Sequence, residues 1–114
     1  KGDKGDASPL TTIFGVPTTI PSAVTTPGNH TLKRFGNVVF YTFSDMVLTS
    51  SGSTPYITLP DGFATPATFS LYGSATLQDG SGHKPIGTGG ALNTLRITNG
   101  VGGQFYRGFA TWII

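Results

Sequence analysis

Glycine and proline interrupt this chain so often that it must be built from short elements. The 114 residues include 17 glycines and 8 prolines, and both residue types break helices. Threonine is abundant between these interruptions, as it is in strands whose exposed faces are polar but uncharged. No segment is typical of a three-turn helix, so the chain is predicted to consist of strands and turns.

The spacing of strand and turn signals predicts an all-β domain over residues 10–114. The clearest signal is a hairpin in which residues 31–35 and 38–43 flank the two-residue turn Gly36-Asn37. In total, seven or eight short strands are expected, which is typical of an antiparallel sandwich or barrel of jelly-roll-like form. The other predicted segments are an edge region over 11–26, strands at 56–59, 68–77, 92–98 and 104–114, and exposed loops at 50–55 and 79–90.

The first residues carry a different pattern. Lys1-Gly2-Asp3-Lys4-Gly5-Asp6-Ala7 places glycine at every third position, the period that a collagen triple helix requires. We interpret residues 1–9 as the end of a collagen-like stalk, with a flexible linker as the alternative. A three-chain stalk imposes three-fold symmetry on the domain that follows it. The domain is therefore predicted to be a homotrimer, with interface material from Phe40, Phe43, Phe63, Phe105, Phe109 and Trp112.

Charge and composition argue against several classes of function. Charged residues make up 11% of the chain and the net charge is +2, without the basic stripe of a nucleic-acid surface. The longest apolar runs are far shorter than the ~20 residues of a membrane-spanning helix. Because there is no cysteine, disulfides and thiolate metal sites are excluded. We expect no nucleic-acid partner and no membrane insertion.

The residues that could carry catalysis are few. The chain has five aspartates and no glutamate, and two of the aspartates lie in the glycine-repeat segment, so a paired-carboxylate site is not expected. His30 and His83 are interpreted as solvated loop histidines without a third ligand at metal spacing. No serine lies in a nucleophile elbow. The chain is therefore predicted to be neither an enzyme nor a cofactor or metal protein.

Four short motifs follow one another along the chain. They are, in order, Leu32-Lys33-Arg34-Phe35-Gly36-Asn37-Val38-Val39, Leu59-Pro60-Asp61-Gly62-Phe63, Leu95-Arg96-Ile97-Thr98-Asn99-Gly100 and Tyr106-Arg107-Gly108-Phe109-Ala110-Thr111-Trp112-Ile113. This series resembles the C-terminal head domain of receptor-binding tail proteins from siphophages of lactic acid bacteria and other Gram-positive hosts. The resemblance covers roughly residues 29–114, and a collagen-like segment before the head is frequent in such proteins.

The resemblance implies a homotrimeric β-barrel head at the tail tip or baseplate of a virion, in contact with other tail and baseplate proteins. Its implied ligand is a saccharide of the host cell wall. Some relatives carry a His-x-Asp pair on one strand, with a Trp nearby, as saccharide contacts. Here the matching strand has Arg96 and Thr98 instead.

Residue chemistry alone is also compatible with glycan binding. Planar polar side chains bind sugar hydroxyls and an aromatic face packs on the ring. An arginine would additionally suit phosphate-bearing polysaccharides. The most polar and least regular stretches place the predicted saccharide site at His83, Arg96, Asn99, Gln104 and Tyr106. Tyr106 as a core aromatic and Arg96 as a solvated strand residue are the alternatives for those two positions.

Two other functions remain open for a sequence of this kind. One is a collagen-tailed jelly-roll module with a structural or adhesive role on a bacterial surface or spore coat. The other is a fragment of a tail enzyme that depolymerises wall polysaccharide.

Overall fold

Ten antiparallel strands and no helix make up residues 12–65 and 71–114, the part of the chain that the computed structural model describes. The all-β prediction is confirmed, although the expected number of strands was too low. The predicted stalk at 1–9 lies outside the described residues. The strands are β1 Thr12–Gly15, β2 Thr18–Thr19, β3 Val24–Thr26, β4 Asn29–Phe35, β5 Val38–Leu48, β6 Pro55–Thr58, β7 Leu71–Leu77, β8 His83–Thr88, β9 Thr94–Ile97 and β10 Phe105–Ile113.

The strands form one strongly curled sheet, a half-barrel. Their order is β1-β4-β5-β10-β7-β8-β9-β6-β2, and β3 pairs separately with β5. The two edge strands, β1 and β2, are consecutive in the chain and are separated only by residues 16–17. Since a two-residue connection spans only a short distance, the curl must bring the two edges of the sheet close together.

The hairpin of β4 and β5 is confirmed with the expected turn. Phe35 pairs with Val38, which leaves Gly36 and Asn37 as the two loop residues. Gly36 has a φ of 55°, a conformation that glycine adopts without steric cost at the first loop position of a hairpin. Arg34 secures this turn, because its guanidinium donates to the Gly36 and Gly62 carbonyls at 2.6 and 2.8 Å.

The core lies on the concave side of the sheet and is rich in aromatic residues. Burial alternates along the first part of β5, so Val39, Tyr41 and Phe43 point inward, as the two-residue period of a strand requires. Trp112 on β10 is 1% exposed, and its indole N–H donates to the Phe63 carbonyl at 2.8 Å.

Three of the six aromatic positions predicted for a subunit interface are therefore misassigned. Phe43, Phe63 and Trp112 are buried within one chain, because a curled sheet of this size needs large side chains to fill its concave side. Phe40, Phe105 and Phe109 remain exposed, each by about half of its surface.

Antiparallel pairing divides the half-barrel into two ends. At the end that we call the loop end, β5, β7 and β9 finish and β4, β8 and β10 begin. The loops at 78–82 and 98–104 lie there. The opposite end, the hairpin end, carries the Gly36-Asn37 turn, the start of β1 at Thr12 and the end of β10 at Ile113.

Candidate functional site

A groove opens on the convex, solvent-facing side of the sheet near the loop end. Its volume is about 480 Å³, within the range of small-molecule binding sites. It crosses four neighbouring strands, β5, β10, β7 and β8. The lining residues are Phe43, Ser44, Ser74, Thr76, His83, Arg107, Gly108 and Phe109.

Strand register brings the polar residues of the groove into one row. Arg107 on β10 pairs with Thr76 on β7, and Thr76 pairs with His83 on β8. In the next row toward the hairpin end, Phe109 pairs with Ser74. Because side chains alternate between the two faces of a strand, Arg107 and Phe109 point outward while Tyr106 and Ala110 are buried.

A β-bulge forms one wall of this groove. The pairing of β5 with β10 shifts register between Tyr106 and Gly108, and Asp45 of β5 has a φ of 58°. The Asp45 N–H donates to Gln78 Oε1 at 3.1 Å. Bulges and non-glycine residues with positive φ are enriched beside functional sites, where they redirect side chains.

The backbone of Gly28, in the turn before β4, lies in close contact with the bulge at Ser44 and Asp45. A Cβ at Gly28 would lie 2.3 Å from the Ser44 carbonyl oxygen and 2.8 Å from the Asp45 carbonyl carbon. Only glycine fits at this distance, and its φ of 73° also favours glycine. The turn before β4 therefore supports the wall of the groove.

The groove combines hydrogen-bond donors with an exposed aromatic ring. His83 Nδ1 and Thr76 Oγ1 lie 3.0 Å apart in a hydrogen bond, and the Arg107 guanidinium, which offers five N–H donors, is exposed. The Phe109 ring is 52% exposed. None of the described residues that line the groove is acidic. Such a set can bind hydroxyl groups and anionic groups, and it can pack on an apolar ring face.

A second, smaller groove of about 220 Å³ lies at the same end of the sheet. Gln78, Asp79, Gln104 and Phe105 line it together with Leu77. The Ser81 hydroxyl and N–H both hydrogen-bond the Asp79 carboxylate and lower its pKa. The carboxylate is therefore kept ionised, and with the two amides it forms a set of planar polar groups next to an exposed phenyl ring.

Three of the five predicted site residues are exposed at the loop end. His83 lines the larger groove and Gln104 the smaller one. Asn99 is exposed in the turn after β9, with a φ of 54°, and its N–H donates to the Ser53 hydroxyl at 2.9 Å. The irregular, polar stretches at 78–82 and 98–104 therefore lie at the same end of the sheet, and the saccharide site itself stays a prediction.

Arg96 and Tyr106, like Asn99, line neither groove. Arg96 lies on β9 between Gly87 of β8 and Pro55 of β6, and its Nε is buried without a hydrogen-bond partner among the described residues. Tyr106 is fully buried, and its hydroxyl accepts the Val101 N–H at 3.0 Å. Its ring cannot present a face to a ligand, which corrects its assignment as a sugar contact in favour of the core alternative.

Residue-by-residue reasoning missed Arg107, Phe109, Ser74 and Thr76. The signal was present in the last strand. Once Trp112 is assigned to the core, the two-residue period also buries Ala110 and turns Arg107 and Phe109 outward. The partners on β7 could not be identified, because they depend on pairing between strands that are distant in the sequence.

Residues 12–65 and 71–114 contain no cluster of three or more potential metal ligands and no helix suited to crossing a membrane. Comparisons of the chain with protein-family models, with curated proteins and with solved structures gave no match.

Proposed function

We propose that the chain is a receptor-binding head of the phage-tail type that binds a host cell-wall saccharide in the larger groove, without turnover. The observation that carries this proposal is the row of Arg107, Thr76 and His83 beside the exposed Phe109 ring. Donors for hydroxyl or phosphate oxygens lie there next to a flat apolar surface, which is the combination that a sugar ring requires.

The position of the groove supports the same function. Strand β1 starts at the hairpin end, so a stalk formed by the Gly-X-Y residues would join the domain there. The groove lies toward the opposite end, where a head on a stalk would meet a cell surface. The proposed assembly is a homotrimeric jelly-roll-like head at the virion tail tip or baseplate, attached to other tail proteins.

The groove is shallow and open, and this sets the expected affinity. Sugar hydroxyls are already hydrogen-bonded to water, so each new hydrogen bond contributes only ~1 kcal/mol net. A dissociation constant per site in the millimolar to micromolar range, about −4 to −8 kcal/mol, follows. An arginine among the donors favours phosphate-bearing polysaccharides over neutral ones, because it binds phosphate through two parallel hydrogen bonds.

Isothermal titration of the 114-residue chain with wall polysaccharides from a panel of Gram-positive strains tests this proposal. For a polysaccharide that binds, Arg107→Ala should weaken binding by about tenfold or more, the loss expected for a charge-assisted hydrogen bond. Arg96→Ala is the matched variant, since Arg96 is an outer-face arginine that does not line the groove.

Two results would contradict the proposal. If Arg96→Ala abolishes binding and Arg107→Ala does not, the site lies on β9 and not in the groove. If no wall polysaccharide binds, or if incubation releases shorter saccharides, the non-catalytic binding function is wrong. The melting temperature should change little in Arg107→Ala, because an exposed strand residue contributes little to stability.

A further inference from the structure

The same outer face that carries the groove is apolar at its other end. Strand register places Phe14 beside Lys33, Lys33 beside Phe40, and Thr111 between Phe40 and Tyr72. The next row toward the hairpin end brings Phe35, Val38 and Ile113 side by side. We call Phe14, Phe35, Phe40, Tyr72 and Ile113 the apolar patch.

The apolar patch is unusually exposed for such large side chains. Tyr72 is 78% exposed, Phe14 69% and Ile113 64%. Taking 150–250 Å² for each aromatic side chain, the five side chains together expose on the order of 500 Å², as much as the largest patch on a typical monomer, with Lys33 and Thr111 lying between them. A standard interface buries about 800 Å² per partner around an apolar centre, so this patch is large enough to form that centre.

We propose that the apolar patch is the contact surface between copies of this chain. This inference rests on the proposed function only for the trimeric state, and it assigns the face through which the copies meet. Thr12, the first residue of β1, pairs with Phe35 of the patch. Only five residue steps separate Thr12 from Ala7, the last residue of the Gly-X-Y pattern, a span of at most ~18 Å.

This short span favours other copies of the same chain as the partners that cover the apolar patch. In the proposed stalk, three chains would leave one triple helix with the first residues of their β1 strands within this distance of its axis, and Phe35 of each patch pairs with that first residue. Phe14 of β1 belongs to the patch itself. Lys33, which lies within these rows, has its ammonium 5.8 Å from the centre of the Phe14 ring. The Lys33 charge therefore packs on an aromatic face of its own chain. This contact lowers the electrostatic free-energy cost of bringing several copies together.

Sedimentation velocity of the 114-residue chain tests the assignment. The wild type should sediment with three times the 11.8 kDa chain mass. Replacing Phe40→Ser together with Tyr72→Ser should raise the concentration at which trimers dissociate by at least about 100-fold, since central aromatic residues dominate interface energies. Leu92→Ser is the control, because Leu92 is an exposed apolar residue outside the patch, and it should leave the trimer intact.

A second measurement decides the case where the double variant fails to fold. The chain contains no cysteine, so a single cysteine reports on its own position. Alkylation of Tyr72→Cys should slow as protein concentration rises, whereas alkylation of Leu92→Cys should not. The proposal is overturned if Tyr72→Cys and Leu92→Cys are alkylated at equal rates at all protein concentrations. It is also overturned if the wild type sediments as a monomer, or if the Phe40→Ser, Tyr72→Ser variant remains as trimeric as Leu92→Ser. If wall saccharides fail to bind while the patch variants dissociate, the function is wrong and the interface stands.

Discussion

Three hydrogen-bonded side chains connect the surface to the core at His30, Tyr41 and Tyr56. His30 Nε2 lies 2.6 Å from the Pro27 carbonyl oxygen and must therefore carry a proton, which leaves Nδ1 of the neutral ring as an acceptor. Tyr41 then donates its hydroxyl to Nδ1 at 2.8 Å, and Tyr56 donates to the Tyr41 oxygen at 3.0 Å. Each donor in this series of hydrogen bonds therefore has one acceptor, and the direction of every bond is fixed.

That direction makes the two tyrosines unequal. Tyr41→Phe leaves the Tyr56 hydroxyl, which is fully buried, and His30 Nδ1 without partners, and should cost about 1–3 kcal/mol of unfolding free energy. Tyr56→Phe removes only the terminal donor and should cost about 0.5–1.5 kcal/mol. Urea denaturation at neutral pH measures both. Equal losses, or a larger loss for Tyr56→Phe, would contradict the assigned direction.

The same arrangement predicts acid sensitivity. Burial lowers the pKa of His30 below its ordinary value of 6.5, against the opposing effect of the Pro27 hydrogen bond. Burial next to Tyr56 also holds the pKa of Tyr41 well above 10, so no tyrosinate is available to stabilise a protonated imidazole. The folded state therefore binds fewer protons than the unfolded state once the pH falls below about 6.5.

The contribution of neutral His30 to stability is thus complete above pH 6.5 and is lost as the pH falls through its lowered folded-state pKa. Urea midpoints measured from pH 8 to pH 5 should decline in this interval for the wild type. In His30→Gln the decline should be absent, whereas His83→Gln, which changes an exposed histidine, should retain it. A decline that survives His30→Gln would show that another group titrates.

The sequence predicts His30 in a loop, but His30 lies on β4. Its pairing with Phe43 extends the strand beyond its apolar pattern.

At the scale of elements, the close approach of β7 and β10 depends on Gly73. A Cβ at this position would lie 2.5 Å from the Phe109 carbonyl oxygen and 2.7 Å from the Ala110 Cβ. Gly73→Ala should therefore force the two strands apart and cost about 1–3 kcal/mol, as overpacking does. Gly90→Ala is the control, because no atom lies within 4 Å of its added methyl group. A loss in thermal stability as small as that of the control would show that β7 can shift freely.

Sequence patterns predicted the elements whose signals are local. The Gly36-Asn37 hairpin is confirmed, and β9 and β10 lie within the strand segments predicted at 92–98 and 104–114. The pattern failed for β8, His83–Thr88, which lies within the predicted loop at 79–90. Its proline and glycine are typical of turns, yet pairing with β7 on one side and β9 on the other makes it a strand.

This failure explains why the groove could be predicted only in part. His83 was selected as a polar loop residue and does line the groove, but its neighbours Thr76 and Arg107 are set by the register of β8, β7 and β10. Register across three strands is a long-range property, determined by packing of the buried face. The two-residue period of the last strand turns Arg107 outward, but it does not show that Thr76 and His83 lie beside it.

At the scale of the whole molecule, the outer face carries the apolar patch toward the hairpin end and the polar groove toward the loop end. The apolar patch includes Tyr72, and the groove begins at Ser74, two residues further along β7, and extends to Thr76, about 13 Å from Tyr72. Assembly through the patch would leave each groove open, and a common axis near the hairpin end would turn the three grooves toward the same side. The two proposals are therefore compatible, and each can be tested without the other.

Together they predict binding through avidity. Three weak sites facing one polymer of repeating units act at a high effective concentration, which can raise apparent affinity by ~10²–10⁴ without any new contact. The double variant Phe40→Ser, Tyr72→Ser should therefore bind a short wall oligosaccharide as well as the wild type does, but should lose most of its affinity for intact cell walls. Arg107→Ala should weaken binding to the short oligosaccharide and to intact cell walls by a similar factor per site. Surface-plasmon resonance on immobilised wall polysaccharide, compared with titration of the fragment, separates these effects. If the double variant remains monomeric and still binds intact walls as tightly as the wild type, a single groove carries the full affinity and the avidity mechanism is wrong.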